Sequence, residues 1–308
     1  MIGGTTRPIH EEGPPCPGRS SCCTSSASST TRSEPSAARP AAPALKPRLA
    51  DSEVIAIELA GELWGRADDT AILRHFRAYH LAEFPALARV DRTRFARRAA
   101  DLCWTKRQIQ RRLAARLGGP GAHWPVDSCP LPACRFGRAG YCRRFAGPAA
   151  YGFDPLARKA FYGFRLHLRA SPEGIILGYQ LAPADAHELE LARELAPAPP
   201  GVALGDRNYW SPRAREEFRA AGGDLVAPYK QGVHDPQPER SEDLLAVRRR
   251  IETVCSHLID GFDCRRVRVR DVWHLEHRLV RMILARTAAG WLGARAGRPP
   301  LQIEPLVA

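Results

Sequence analysis

The chain has 308 residues, with 46 lysines and arginines against 33 aspartates and glutamates, so its formal net charge is +13. Its length allows one large domain or two smaller ones, and an apolar content of 44% is ordinary for a globular protein. The lack of an apolar run of roughly 18 residues excludes a membrane-spanning protein, and the first thirty residues lack a signal-peptide core, so we expect a cytoplasmic protein with no membrane partner.

The excess of positive charge predicts a polyanionic partner, with nucleic acid as the first candidate. All but four of the 46 basic residues are arginine, which forms bidentate contacts with phosphate. Codon usage in a GC-rich genome would produce the same arginine bias. The net charge therefore carries the prediction, whichever explanation of the bias holds.

The nine cysteines are expected to be reduced thiols in a cytosolic chain. His123, Cys129, Cys134 and Cys142 are residue types that bind zinc, but their spacing lacks the C-x2-C pairs typical of structural zinc sites. We therefore favour free cysteines over a zinc site.

The first part of the chain is predicted to contain a tail and a small all-α region. Residues 1–47 are rich in Ser, Thr, Pro, Ala and Gly, which predicts a disordered tail, or a start codon placed too far upstream. In the region 48–118, Asp51-Ser52 can cap a first helix, and a second helix runs over about 69–81. The apolar face of the first helix is predicted to consist of Val54, Ile55, Leu59, Leu63 and Trp64. A third, basic helix over about 92–117 either lies on DNA or presents a solvated face.

From residue 119 to residue 290 the pattern changes to that of an α/β domain. Strands are predicted at 123–128, 161–169, 175–181, 202–205 and 224–227, with a hairpin turn at 171–174. Helices are predicted at 185–195, 212–221, 239–259 and 271–288. Residues 291–308 are predicted to be a C-terminal tail.

Three carboxylates stand where metal-binding side chains could converge. Asp127 follows the first strand of this domain, Asp206 ends a later apolar strand, and Glu252 lies at the edge of the apolar stripe of the long basic helix. We expect Glu252 to border the sheet rather than face open water. Such carboxylates can bind hard divalent cations, and two such ions can support phosphodiester chemistry. The structural alternative for each aspartate is a cap or a turn residue.

Several segments occur in an order that is typical of one family. They are DSCPLPAC at 127–134, AYGF at 150–153, FYGFRLHL at 161–168, LAPADAHE at 181–188, GDRNY at 205–209 and RRIETVCSHL at 249–258, with LADSEV upstream at 49–54. They resemble the motifs of the DDE transposases of bacterial insertion sequences, and the chain looks closest to the insertion sequence 982 group. The resemblance covers about residues 48–289.

The resemblance implies a ribonuclease-H-like catalytic domain at 119–290, a mixed sheet with flanking helices. Asp127, Asp206 and Glu252 would be the catalytic residues and would bind two Mg²⁺ (or Mn²⁺) ions. The implied reaction is hydrolysis at the ends of the element, followed by attack of the freed 3′-hydroxyl on target DNA. The implied partners are double-stranded DNA, as terminal inverted repeats and target, and a second copy of the chain in a homodimer associated with the bacterial nucleoid.

The chain departs from the family pattern on both sides of the glutamate and after the second aspartate. Leu245 and Ile259 stand where a tyrosine and a lysine often flank the glutamate by seven residues, whereas Arg248 keeps the arginine four residues before it. Asn208 replaces a common glycine, and asparagine tolerates the left-handed backbone expected there.

Side chains around these motifs are the predicted DNA contacts and supporting groups. The predicted DNA contacts are Arg248, Arg249, Arg207, Lys230, Arg165 and Arg111, and the residues predicted to support the active site are His167 and His187. A solvated loop is the alternative for Lys230. A packed side chain is the alternative for His167, since magnesium prefers oxygen ligands.

Two other functions stay open at this point. A metal-dependent nuclease on the same fold would cut DNA without joining it. A decayed transposase or a DNA-binding regulator would bind DNA ends without cutting. Joined product separates the transposase from the nuclease, and loss of all metal-dependent cleavage would favour the binder.

Overall fold

The computed structural model describes residues 48–303 apart from 67, 119, 120, 156, 199, 237 and 267, and residues 240 and 241 are described by their backbone alone. The described residues belong to one compact unit. The predicted disordered tail over residues 1–47 lies outside the described residues. In the described part of the chain, no helix has both the length and the apolar character needed to cross a membrane.

Six strands of the described residues form one mixed sheet. They are β1 (His123–Pro132), β2 (Ala150–Asp154), β3 (Lys159–Ala170), β4 (Ile176–Pro183), β5 (Val202–Leu204) and β6 (Asp224–Val226). The path β2-β3-β1-β5-β6 runs through the sheet, and β4 also pairs with β3. Pairs among β1 to β4 are antiparallel, whereas β1 with β5 and β5 with β6 are parallel.

Helices surround this sheet and form the region before it. They are α1 (Asp51–Leu63), α2 (Asp69–Tyr79), α3 (Arg92–Asp101), α4 (Cys103–Leu117), α5 (Glu188–Leu195), α6 (Pro212–Ala220), α7 (Pro238–Ser256) and α8 (Val272–Arg295). Side chains of β1 alternate between two buried clusters. Trp124 and Val126 pack with α5 and α6, whereas Cys129 and Leu131 pack with α7 and α8, so helices cover both faces.

The predicted α/β class with a mixed sheet and flanking helices is confirmed, with changes at the ends of elements. The first strand was expected over 123–128 but continues to Pro132, because residues 126–132 pair with β3. The helix expected over 185–195 begins at Glu188. The helix expected over 239–259 ends at Ser256 and passes into a π-helical turn at His257–Gly261. The last helix continues to Arg295, inside the predicted C-terminal tail.

The predicted third helix over 92–117 is two helices. The chain bends at Leu102, which ends α3 and begins α4. The bend is explained by packing, since α3 lies against α1 and α2 whereas α4 lies along α8. One continuous helix would not reach both surfaces.

The first helix buries much of its predicted face, since Val54 and Ile55 are buried and Leu59 and Leu63 are partly buried, but its N-cap and part of its buried surface differ from the prediction. Its N-cap is Ala50, whose N–H donates to the Glu53 carboxylate at 2.6 Å, rather than Asp51-Ser52. Ile57 and Glu58 are fully buried, whereas Trp64 is 37% exposed. Glu58 can be buried here because it has basic partners on two other helices.

Those partners form what we call the buried ionic network: Glu58, Glu62, Lys106, His277 and Arg281. Lys106 Nζ on α4 donates to Glu58 Oε2 on α1 at 2.5 Å and lies 2.7 Å from His277 Nε2 on α8. Arg281 Nε lies 2.7 Å from Glu62 Oε2, and Arg281 Nη1 lies 3.5 Å from Glu58 Oε1. All five side chains are buried, so the network ties the helical region to α8 without facing solvent.

Candidate active site

Asp127 lies inside β1, at the point where its pairing changes. Residues 123–125 of β1 pair with β5, and residues 126–132 pair with β3. The expectation that Asp127 follows the strand was therefore wrong. Its carboxylate accepts the Ser128 N–H at 2.7 Å and lies 3.4 Å from the Arg248 guanidinium of α7. The first aspartate is thus fixed by its own strand and by the helix opposite it.

Asp206 follows β5 directly after Gly205 and caps a 3₁₀ turn over Arg207–Tyr209. Its carboxylate accepts the Asn208 N–H at 2.9 Å and the Asn208 side-chain amide at 3.4 Å. Asn208 is not among the described non-glycine residues that have a positive φ. The prediction of a left-handed backbone at this position was therefore wrong. A Cβ at Gly205 would lie 2.5 Å from the Tyr209 Cβ, which explains the glycine at this close approach.

Glu252 extends from α7 and is joined to Asp127 by Arg248. Arg248 Nη1 donates to Glu252 Oε1 at 2.7 Å, one turn along the helix, while Arg248 Nη2 lies 3.4 Å from Asp127. The Glu252 side chain is 55% exposed, so the expectation that it would border the sheet away from open water was wrong. The predicted apolar stripe of this helix is otherwise correct, because Ile251, Val254 and Leu258 are buried.

The negative charge at Asp127 is only partly compensated. Burial above all, together with the carboxylates of Asp206 and Glu188, raises the pKa of Asp127 to about 6. The Ser128 N–H and the Arg248 guanidinium lower it but do not reverse the shift. The carboxylates of Asp206 and Glu188 therefore lie within electrostatic reach of Asp127, which has one guanidinium against it. We call Asp127, Asp206, Glu188 and Glu252 the carboxylate cluster.

Glu188 and Tyr209 are the neighbours that the sequence prediction did not single out. Glu188 Oε1, at the start of α5, accepts the Ser128 hydroxyl at 2.8 Å. The Tyr209 ring is buried, which raises the pKa of its phenol, and the charges of Glu188, Asp127 and Asp206 act in the same direction. Both residues lie in motifs that carry the family resemblance, and that position was the one signal that could have identified them.

Arg165 and His167 of β3 lie beside this cluster but inside the protein. The Arg165 guanidinium is 13% exposed and donates to Ser128 Oγ at 3.1 Å and to the Phe153 carbonyl at 2.5 Å. His167 lies opposite Ser128 in the strand pairing and is fully buried, and its ring nitrogens have no hydrogen-bond partner among the described residues. Burial, and then the Arg165 charge, lower the pKa of His167 to about 4, so the ring is neutral at pH 7.

The other predicted DNA contacts lie outside the carboxylate cluster. Arg207, Arg249 and Arg111 are exposed on the 3₁₀ turn, α7 and α4, respectively. Lys230 Nζ lies 5.3 Å from the centre of the Trp210 ring. The predicted supporting residue His187 is exposed at the N-cap of α5 and makes no side-chain capping bond.

The donor set suits a hard divalent cation. Asp127, Asp206 and Glu252 offer only oxygen, the ligand type that Mg²⁺ and Mn²⁺ prefer. The raised pKa of Asp127 means that added positive charge would be favourable there. Among the described residues, no group of three or more His, Cys, Asp or Glu side chains is arranged to hold a metal, and Arg248 lies between Asp127 and Glu252.

A model of one protein family matches this part of the chain. The match is to the transposase DDE domain and covers residues 122–288, from just before β1 into α8. Neither the curated proteins nor the solved structures contain a match to the chain. The family match carries with it the ribonuclease-H-like fold, general use of divalent metal ions, DNA as partner and nuclease or strand-transferase activity. The range includes all three predicted catalytic carboxylates and more than half of the sequence, so the chain belongs to the transposase DDE domain family.

Proposed function

We propose that this protein is a transposase of the insertion sequence 982 type. It cleaves DNA at the ends of its element and joins the freed 3′-hydroxyl to target DNA. The observation that carries this proposal is the bridge made by Arg248. One guanidinium contacts Asp127 of β1 and Glu252 of α7, at 3.4 and 2.7 Å, and Asp206 at the end of β5 lies within electrostatic reach of Asp127.

In this proposal Asp127, Asp206 and Glu252 hold the metal ions. Two bound Mg²⁺ or Mn²⁺ ions would activate a water or a 3′-hydroxyl and stabilise the leaving oxygen of the phosphodiester. The Ser128 N–H orients the Asp127 carboxylate, and Asn208 orients that of Asp206. The Arg248 guanidinium balances the carboxylates before DNA binds and then contacts a phosphate of the cleaved end.

In this proposal, arginine and lysine side chains outside the carboxylate cluster hold the DNA. Arg207, Arg249 and Arg111 are exposed, and Lys230 lies over the Trp210 ring. Phosphate contacts of this kind release counterions, so binding weakens as salt rises. A homodimer at the bacterial nucleoid would bring two ends of the element together, and the basic helices α3 and α4 would help to recognise the terminal inverted repeats.

The test is mobility of a marked copy of the element in cells. Glu252→Gln keeps the size of the side chain and removes its charge, so we expect mobility to be lost. Glu242→Gln changes a carboxylate on an exposed part of the same helix, and we expect native mobility. Equal mobility of the native chain and Glu252→Gln would refute the assignment of the glutamate. Cleavage without joined product would indicate a nuclease instead.

A further inference from the structure

The segment from Ser128 in β1 to Phe153 in β2 has an unusual charge pattern. Residues 128–153 contain no aspartate or glutamate. The same segment carries four exposed arginines and four exposed aromatic side chains: Arg135, Arg138, Arg143, Arg144, Phe136, Tyr141, Tyr151 and Phe153. We call these eight residues the Arg–aromatic surface. None of its guanidinium groups makes an ion pair with a carboxylate of the described residues.

The surface is fixed to the core rather than free to collapse. Ala139, Phe145 and Ala149 of the same segment are buried in the cluster that packs against α7 and α8. The Phe145 ring meets the Phe164 ring edge-on at 5.5 Å, and the Phe145 carbonyl accepts the Tyr162 hydroxyl at 3.2 Å. The apolar residues of the segment therefore point inward and hold its arginines outward.

Two of the exposed aromatic rings are in contact, and a third lies on the same face of its strand. Phe136 meets Tyr151 edge-on, with ring centres 6.0 Å apart. Tyr151 and Phe153 are two residues apart on β2 and thus share one face of that strand. Cys134 and Cys142 stand on either side of the stretch that carries Phe136 and Tyr141, and both pack against the same buried cluster.

This surface adjoins the carboxylate cluster. The Phe153 carbonyl accepts a hydrogen bond from Arg165 at 2.5 Å, and Arg165 also contacts Ser128, the residue after Asp127. One guanidinium therefore links the backbone of the last aromatic residue of the surface to the residue that follows Asp127. A DNA strand held at the carboxylates would meet the surface as it leaves them.

We propose that the Arg–aromatic surface binds a DNA strand with unpaired bases next to the cleavage site. The arginines contact phosphates, and the exposed rings stack on bases. The charge of the surface indicates a polyanion as its partner. Its guanidinium groups have no carboxylate partner among the described residues, and its segment contains no aspartate or glutamate. The rings favour a single strand over a duplex, since duplex bases are already stacked. This inference rests on the proposed function, in that DNA is the substrate.

The experiment measures binding of the full chain to a fluorescent oligothymidylate strand and to a duplex of mixed sequence, by anisotropy over a range of salt concentrations. A plot of log affinity against log salt concentration has a negative slope. For Arg143→Gln/Arg144→Gln on the single strand, we expect this slope to become less steep by about 1.4. Arg74→Gln/Arg295→Gln removes the same charge from exposed positions on α2 and α8, and we expect its slope to stay native.

The aromatic contribution is tested with a matched pair of tyrosines. Tyr141 is 87% exposed and Tyr79 on α2 is 73% exposed, so neither substitution to alanine should disturb folding. We expect Tyr141→Ala to weaken binding of the single strand about five- to tenfold, with a smaller effect on the duplex, because stacking on its bases is lost. We expect Tyr79→Ala to bind as the native chain does.

Three results would overturn the inference. The first would be binding of both probes by the surface variants as by the native chain. The second would be an equal loss of affinity in the two double-arginine variants. The third would be a changed sedimentation coefficient of Tyr141→Ala with DNA binding retained, which would make the surface a contact between copies of the chain. If the native chain binds neither probe, the proposed function fails as well. That result differs from a failure confined to the variants.

Discussion

The buried ionic network and the carboxylate cluster both concentrate charged side chains, but they balance charge differently. Burial alone would raise the pKa of Glu58, yet the His277 ring, 3.3 Å away, and the charges of Lys106 and Arg281 lower it to about 2. Asp127 has one guanidinium against it and two carboxylates nearby, and its pKa is raised to about 6. The protein's own basic groups therefore favour the ionised form of Glu58, whereas the ionised form of Asp127 would gain from a cation that binds there.

Glu62 of the same network shows that basic partners do not always outweigh burial. It lies one turn after Glu58 and is also buried. Burial raises the pKa of Glu62, and the charges of Arg281 and Arg278 do not fully reverse that shift. A raised pKa at a buried carboxylate therefore does not by itself distinguish a structural group from a binding one.

The largest expected effect comes from removing the lysine of the network. Lys106→Met leaves Glu58 buried without its 2.5 Å partner. We expect the free energy of unfolding to fall by about 3–5 kcal/mol, measured by urea denaturation. Lys159→Met removes an exposed lysine and serves as the control. A loss below about 1 kcal/mol in Lys106→Met would mean that the network does not hold the helical region in place.

Acid should reveal the lowered pKa of Glu58. A carboxyl group whose pKa is lower in the folded state than in the unfolded state stabilises the fold when the pH is above its unfolded-state pKa, here 4.5. This contribution is lost as the pH falls towards about 2, the pKa of Glu58 in the folded state. The expected loss from this group is about 3 kcal/mol between about pH 5 and pH 2. Denaturation of the native chain and of Glu58→Gln across that range checks it. Parallel pH profiles would contradict the role of Glu58.

Asp127 should behave in the opposite direction. Its raised pKa means that ionisation costs folding free energy as the pH rises from 3.8 through about 6. With a chelator present to remove metal ions, the free energy of unfolding of Asp127→Asn should therefore exceed that of the native chain by about 1–3 kcal/mol at about pH 8. The two free energies should be equal at about pH 4. Asp185→Asn, at an exposed position, should change nothing. A destabilised Asp127→Asn at the higher pH would contradict the account of this charge.

The smallest expected effect is at an exposed ion pair of the same helical region. Arg98 pairs with Asp51, and both side chains are largely open to solvent, at 40% and 48%. Because solvent screens such a pair, Arg98→Met should alter the free energy of unfolding by less than about 1 kcal/mol. A loss as large as that of Lys106→Met would show that burial does not separate the two kinds of ion pair.

The sequence predicted the catalytic region better than the helical region because its motifs are local. The alternation in 161–169 gave β3, and the GDRNY and RRIETVCSHL segments placed Asp206 and Glu252 on the correct elements. The end of β1 was misjudged because Pro130 and Pro132 are unusual within a strand, yet this half of β1 pairs with β3.

Interactions between distant elements were beyond such reasoning. Lys106 lies on a basic helix and was not distinguished from its solvated neighbours, because its partners Glu58 and His277 are 48 and 171 residues away. Glu188 lies within a recognised motif, but its contact with Ser128 spans 60 residues. Local patterns specify elements, whereas the partners of a buried charge depend on how those elements pack.

The central claim is that Asp127, Asp206 and Glu252 form one cation site. The most direct measurement is a titration of the purified full chain with Mn²⁺, followed by electron paramagnetic resonance at neutral pH. We predict that the native chain and the Asp185→Asn control bind Mn²⁺ and that Asp127→Asn and Asp206→Asn each lose this binding while remaining folded. Equal binding by the native chain and the two site variants, or no binding by the native chain, would contradict the claim.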